Sequence, residues 1–412
     1  MNHCLRDHAE QIVRGAVRAV CPDEAVRRAL ENVTLSGRIY LVAVGKAGWQ
    51  MAAAAVKYLR APLTRGIVIT KYHHVMGPLE GVECFEAGHP VPDENSYRAT
   101  EAVLEMTRDL EKADTVLFLL SGGGSALFEK PLVEPEVLQQ ITQKMLGSGA
   151  DIVKINTLRK RLSAVKGGRF ALWCVPARVE SIILSDILGD PVDMIASGPA
   201  AVDPVTREEA LAVAREYGVD QDVKVLELLV RETPKEVPNV HTQIIGSVRE
   251  LCRAAREQAE DLGYETVFLT DRLDCEASDA GRWMAEQLLA RQGSGKKLAL
   301  LAGGETVVHL KGTGLGGRNQ ELALAAAEKL SGISGAAVIS VGSDGTDGPT
   351  DAAGGYVDGE TLADMAAAGV DYQAMLNNND SYHALKAVGG LVITGPTGTN
   401  VNDITIALLN QA

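Results

Sequence analysis

Arg38-Ile-Tyr-Leu-Val-Ala-Val-Gly-Lys-Ala-Gly48 reads as a buried β-strand that runs through a glycine turn into a helix. Its apolar run is continuous rather than alternating, as in a strand covered on both faces. In open α/β sheets, ligands gather at the carboxyl ends of such strands, and Lys46 stands at this one. Only Gly45 and Gly48 are present, so the three-glycine dinucleotide fingerprint is missing and a nicotinamide site is disfavoured. A solvated lysine in a turn is the alternative, and this stretch alone does not decide between them.

The same unit recurs along the chain. Apolar runs at Gly66–Thr70, Thr115–Leu120 and Ser181–Ser185 alternate with helical stretches at Met51–Leu59, Ser96–Leu110 and Ile155–Leu172. Strand–helix alternation predicts an α/β fold with a parallel sheet and helices on both faces. Arg231-Glu-Thr-Pro-Lys-Glu-Val-Pro238 interrupts the pattern with two prolines and mixed charges. The main boundary is placed there, giving domains at residues 1–236 and 237–412. Beyond it, strands restart at Val240–Ile245, Glu265–Thr270, Leu298–Ala302, Ala336–Val341 and Leu391–Thr394. Connections are longer and glycine-rich, notably Lys311–Gly317 and Ser343–Gly355, which predicts a second, smaller α/β domain with a mixed sheet and functional loops. Met1 to Asn32 alternates charges with Leu5, Ile12, Val13, Ala16, Val17 and Val20, as an amphipathic helix does. There is no internal repeat and no low-complexity segment.

Composition narrows the partners. A net charge of −14 over 412 residues argues against nucleic acid, which demands a basic face. An anionic metabolite would need a local cationic pocket. Hydrophobic residues make up 46% of the chain and aromatics 4%, so the cores rest on Leu, Val, Ile and Ala. The six cysteines show no C-x-x-C pair and fit neither a zinc site nor a disulfide scaffold, which predicts reduced thiols in a cytoplasm. No apolar run approaches the length of a membrane helix, and no signal-peptide pattern is read at the N-terminus.

Several stretches carry chemistry. Leu120-Ser-Gly-Gly-Gly-Ser125 ends an apolar strand. Gly122, Gly123 and Gly124 leave room for a phosphate there, with Ser121 and Ser125 as hydroxyl donors. The Walker-type G-x-x-x-x-G-K-[ST] spacing is absent. In Gly312-Thr-Gly-Leu-Gly-Gly-Arg-Asn-Gln-Glu321, glycines are expected to leave backbone N–H groups open to an anion, with Arg318 and Asn319 opening a helix. Gly342 to Gly355 carries Asp344, Asp347 and Asp351 in a turn-rich loop able to face Mg²⁺ or a hydroxyl. A cationic anion site and an acidic loop are the parts phosphoryl transfer needs. Surface turns are the plain alternative for each loop. Lys154 to Arg169 reads as a helix with Arg159, Lys166 and Arg169 on one stripe; most of it suits a solvated face, with one or two cations left for an anion pocket. Asp186, Asp190 and Glu305 follow strands, where an acid can hold a metal, orient a lysine or simply cap a helix. His89-Pro-Val-Pro-Asp93 is either a rigid loop beside substrate or a structural turn. Neither a serine–histidine–acid triad nor H-E-x-x-H is present, so hydrolysis has no support.

Taken together, the motifs resemble the class II glycerate kinases, the glycerate 2-kinase family with a C-terminal MOFRL domain. They are Val44-Gly-Lys-Ala47, Ser121-Gly-Gly-Gly-Ser125, Ile155-Asn-Thr-Leu-Arg159, Lys166-Gly-Gly-Arg169, Ser185-Asp-Ile-Leu-Gly-Asp190, Ser197-Gly-Pro199, Gly303-Gly-Glu305, Gly317-Arg-Asn-Gln-Glu321 and Gly345-Thr-Asp-Gly348, spread over nearly the whole chain. The resemblance implies a Rossmann-like N-terminal domain, a smaller mixed α/β domain and an active site in the cleft between them. It further implies transfer of the γ-phosphoryl of ATP, with Mg²⁺, to the C2 hydroxyl of D-glycerate. Lys46 and Arg318 fall on the catalytic cations by motif. Asp190 is counted with the catalytic residues, and Ser121–Ser125, Lys166, Glu305, Asn319, Asp344 and Asp347 with those binding substrate or nucleotide. Which acid among Asp186, Asp190, Glu305, Asp344, Asp347 and Asp351 holds Mg²⁺ or accepts the hydroxyl proton stays open, and no metal ligand is singled out. A homodimer is compatible with this reading. Val248, Ala200 and Arg161 depart from the expected Asn, Thr and His, which bears on affinity and acceptor range. The rivals are a hydroxypyruvate reductase, which lacks its nicotinamide fingerprint, and a non-catalytic protein that binds a phosphorylated metabolite.

Overall fold

The computed structural model describes residues 1–293 and 295–410. They form two compact units, one made of Ala25–Ser185 and Asp190–Ile245, the other of Met1–Glu24, Asp186–Gly189 and the chain from Gly246 on. The fold is α/β throughout, with one six-stranded sheet in each unit.

The first sheet contains β1 (Ile39–Val44), β2 (Arg65–Lys71), β3 (Val82–Ala87), β4 (Thr115–Leu120), β5 (Arg178–Leu184) and β6 (Val240–Gly246). Their spatial order is β3-β2-β1-β4-β5-β6. Pairing from β3 through β5 is parallel. β1 and β4 are buried along their whole length, as their unbroken apolar runs require. The winding reverses between β1 and β4, where Val44 lies level with Leu120. The turns after these two strands therefore open side by side at the switch point of a doubly wound sheet, the place where such folds bind ligands.

The chain does not divide at Arg231–Pro238. Thr233 is buried and its hydroxyl donates to Asp203 Oδ2 at 2.9 Å, while Lys235 Nζ reaches the carbonyls of Asp203 and Val205. These contacts fasten the proline-rich segment to the first unit. β6, read from sequence as the start of the second domain, is instead the edge strand beside β5.

The second sheet holds β7 (Glu265–Leu273), β8 (Lys297–Gly304), β9 (Ala336–Gly342), β10 (Gly354–Asp358), β11 (Leu391–Val392) and β12 (Asp403–Asn410). Its order is β11-β10-β9-β12-β8-β7, mixed because only β7 and β8 run parallel. Leu298, Leu300 and Ala302 of β8 share one core with the helices Ala277–Leu289 and Arg318–Leu330. The helices His3–Val20 and Val248–Asp261 pack together, the first also meeting β9 and β12 and the second β7 and β8. The amphipathic N-terminal stretch is thus two helices, His3–Val20 and Pro22–Glu31; the first lies wholly in this unit, and the unit boundary falls within the second, after Glu24.

The stretch Ile155–Leu172 is likewise not one helix. Helices Ile152–Arg161 and Arg169–Trp173 are separated by a turn in which Gly167 and Gly168 take φ of +56° and +82°. Among the described residues, no helix is long and apolar enough to cross a membrane.

Candidate functional site

At the switch point the backbone does most of the positioning. The Lys46 amide donates to the Gly122 carbonyl at 2.9 Å, and the Ala47 amide to Ser121 Oγ at 3.0 Å, tying the turns after β1 and β4 together. Gly45, at φ +124°, has no room for a side chain, since a Cβ would stand 2.2 Å from Ser121 Oγ. A Cβ on Gly123 would lie 3.0 Å from the His89 ring and 3.2 Å from Lys46 Cγ. So the ends of β1, β3 and β4 bring a lysine, a histidine and a glycine turn to one spot. Burial holds the His89 pKa below its ordinary value, helped by the charge of Lys46, Lys71 and His74. The ring is therefore neutral at physiological pH and able to accept a proton.

Behind the turn lies a relay that sequence reasoning left without a role. Ser125 Oγ meets Ser197 Oγ at 2.9 Å, and Ser197 Oγ donates to Asn156 Oδ1 at 3.0 Å. Arg159 Nη2 donates to the Ser125 carbonyl at 2.9 Å. Ala196 and Ser197 hold φ of +51° and +61°, a left-handed geometry that costs non-glycine residues roughly 1–3 kcal/mol each. Buried Lys160 stabilises this turn by bonding Asp193 at 2.7 Å and Asp203 at 3.2 Å, one on either side of it. Asn156 and Ser197 sit inside two of the family motifs, so their signal was present.

Lys166 is placed differently from expectation. It is fully buried, with Nζ 2.7 Å from the Phe128 carbonyl and 2.9 Å from Glu129 Oε2. Burial pulls its pKa down to about 8. It braces the interior instead of facing a ligand. Arg161 is also fully buried, bonded to the Arg231 and Val205 carbonyls and to Glu232, and Arg169 is partly buried. The basic stripe is therefore internal wiring, not a solvated face. Asp190 follows β5 at φ +54°, and its buried Oδ1 has no hydrogen-bond partner among the described residues.

In the second unit, Arg318, Glu305, Asn319, Asp344 and Asp347 do come together, but the anion-binding expectation is reversed. Asp347 is buried and accepts from the Asn319 amide at 3.1 Å and the Gln320 amide at 2.8 Å, as well as from both side chains. The protein's own carboxylate thus occupies the N-terminus of the helix Arg318–Leu330. The preceding loop is similarly engaged. The amides of Lys311 and Gly312 donate to Asn379 Oδ1, that of Thr313 to Asn378 Oδ1, and that of Leu315 to Asp380 Oδ1.

The fork of Arg318 is closed as well. Nε and Nη2 bind Asp403 Oδ2 and Oδ1 at 2.6 and 3.0 Å, and Nη1 binds Glu305 Oε1 at 2.8 Å. Asn402 donates to the other Glu305 oxygen at 3.0 Å. Burial raises the Asp403 pKa to about 6 against the pull of Arg318. Asp344 accepts from the amide and hydroxyl of Thr346 and shapes its own turn. A groove of about 600 Å³ runs past Arg318, Asp344, Asp347, Gly316 and Gly317. Asp403 and Asn402 escaped the sequence reading, although Asn400-Val-Asn-Asp403 is a polar cluster just ahead of an apolar run. Among the described residues, no three His, Cys, Asp or Glu groups gather as a ready metal site.

A doubly wound sheet with a lysine and a glycine turn at its switch point, joined to a second mixed-sheet unit, defines an α/β protein built to handle a small anionic substrate. Residues 8–230 match the family described as domain of unknown function DUF4147, and residues 298–403 match the MOFRL family. The chain is 52% identical to the D-glycerate 2-kinase of Thermotoga maritima over 411 residues, which cover 98% of each chain. The crystal structure of a Thermotoga maritima glycerate kinase superposes with a TM-score of 0.94 at 51% identity, covering 99% of this chain and 100% of that one. An Agrobacterium vitis protein carrying a hydroxypyruvate reductase name is 41% identical, over 90% of this chain and 87% of its own. The chain belongs to the glycerate 2-kinase family with a C-terminal MOFRL domain.

Proposed function

We propose that the protein transfers the γ-phosphoryl group of ATP to the C2 hydroxyl of D-glycerate, giving 2-phosphoglycerate. The observation that carries this reading is the meeting of Lys46, His89 and the Ser121–Ser125 turn at the switch point. The turn can receive phosphate oxygens on its backbone and hydroxyls, with Ser125 oriented by Ser197 and Asn156. Lys46 supplies a point charge to the transferred group, whose charge is spread over three oxygens in the transition state. His89 accepts the hydroxyl proton, its neutral ring standing against the glycine turn beside Lys46. Within the second unit, Arg318 holds Asp403 and Glu305 in place.

Mg²⁺ would neutralise charge on the phosphates when bound. Asp190 Oδ1, buried and unpartnered among the described residues, fits a single protein ligand for it, and the remaining positions suit phosphate and water. Purified protein with ATP, Mg²⁺ and D-glycerate should consume ATP, and phosphorus NMR should show 2- rather than 3-phosphoglycerate. Lack of glycerate-dependent turnover would sink the reading. The name of the Agrobacterium relative favours hydroxypyruvate reduction as the second reading. Steady loss of NADH absorbance with hydroxypyruvate would establish that reading instead.

A further inference from the structure

A recess of about 230 Å³ lies in the first unit, with Pro90, Val91, Tyr97 and Ile155 among its walls and the amides Gln139 and Gln143 at its edge. Two residues tie it to the glycine turn. Arg159 lines the recess and donates from Nη2 to the Ser125 carbonyl at 2.9 Å. Pro90 directly follows His89, whose ring stands against Gly123. The recess and the phosphate-type turn are thus adjoining compartments with shared walls.

We propose that this recess receives the heterocyclic base of the nucleotide donor, while its phosphates pass Arg159 to reach Ser121–Ser125. The inference rests on the kinase reading above. The volume suits a flat base and is too small for a whole nucleotide, so the rest of the ligand must leave it toward the turn. Apolar walls match the faces of a base, and carboxamides offer both donors and acceptors for its edge. Glycerate fits this chemistry poorly, because a small anion gains nothing from proline and isoleucine, and Arg159 in the wall already donates to the Ser125 carbonyl. Val91, Leu146 and Ile152, exposed at 54%, 60% and 60%, surround the opening, and a bound base would cover part of this apolar rim.

The test uses the full-length protein with ATP and with tripolyphosphate, which carries the phosphates without the base. Thr142 also lines the recess, so Thr142→Trp fills it, and Ile152→Ser removes an exposed apolar wall at low risk to folding. Thr142→Trp should weaken ATP binding about ten-fold or more, the scale of one lost base-stacking contact. Ile152→Ser should weaken it by a smaller factor. Inhibition by tripolyphosphate, the KM for glycerate and kcat at saturating ATP should stay at parental values. Unchanged ATP affinity in both folded variants overturns the assignment. So does an equal loss for ATP and tripolyphosphate, or a changed oligomeric state with parental ATP affinity, which would mark the rim as a protein interface. If Thr142→Trp fails to fold, Ile152→Ser decides. Calorimetric ATP binding is read separately from turnover, so failure of the kinase reading and failure of the base pocket remain distinguishable.

Discussion

Lys46 is positioned by hydrogen bonds of its backbone, and among the described residues its ammonium group has no hydrogen-bond or ion-pair partner that would keep it from a ligand. Lys46→Ala should lower kcat about 10²-fold or more, the range for a lost electrostatic donor, while the circular dichroism spectrum stays unchanged. A loss of only a few-fold would make Lys46 a surface residue. His89→Gln should lower kcat by about 10²-fold or more. Added imidazole should restore part of that loss, which repair of a purely structural defect would not do. Asp403 gives the pH test. Its pKa lies at about 6 in the folded chain against the usual 3.8, so its contribution to stability is full below about 3.8 and is lost as pH rises through about 6. Asp403→Asn removes this titration. The stability of the variant relative to the parent should therefore improve between pH 4 and pH 7, by at most about 3 kcal/mol. A pH-independent difference would show that Arg318 already keeps Asp403 ionised throughout.

At the scale of elements, the helix Arg318–Leu330 depends on a carboxylate distant in sequence. Asp347→Ala strips a buried N-terminus of its acceptor and should cost about 2–4 kcal/mol, combining a lost cap with unsatisfied donors. A thermal midpoint lower by about 5 °C or more is expected. A Tm within a degree of the parent would mean water replaces Asp347 at little cost. Local pattern found β1, β2, β4 and β5 to within a few residues, because buried parallel strands leave unbroken apolar runs. It missed β3, whose Val82-Glu-Cys-Phe-Glu-Ala run is interrupted by glutamates, and β10, which begins in two glycines of a presumed loop. It also missed β12, the strand between β8 and β9, because a short apolar run buried on both faces carries no period to separate strand from helix. In the site, Lys46 and Ser121–Ser125 were legible as local motifs. The closure of Arg318 on Asp403 was not, since it joins residues far apart in the chain, and no spacing rule reaches that far.

At the scale of the molecule, the sequence reading cut the chain once, whereas the described residues interleave. Leu5, Ile12, Val13 and Val17 of the helix His3–Val20 are buried in the unit that is otherwise built from Gly246 on. Removing residues 1–24 should therefore destabilise that unit and leave the first one comparatively intact, seen as selective loss of amide protection in β9 and β12 by hydrogen exchange. Uniform protection across both units would refute this. A fragment from Gly246 on should be poorly soluble alone and recover when co-expressed with residues 1–24.

The interleaving also has a consequence for how the protein is made. Ribosomes deliver the helix His3–Val20 early, yet its partners β9, β12 and the helix Val248–Asp261 lie beyond Gly246. At about 5–20 residues per second, the nascent helix waits on the order of tens of seconds with its apolar stripe uncovered. Throughout that interval the first unit can complete its own sheet, while the leading segment remains a client for chaperones until the last strand leaves the exit tunnel.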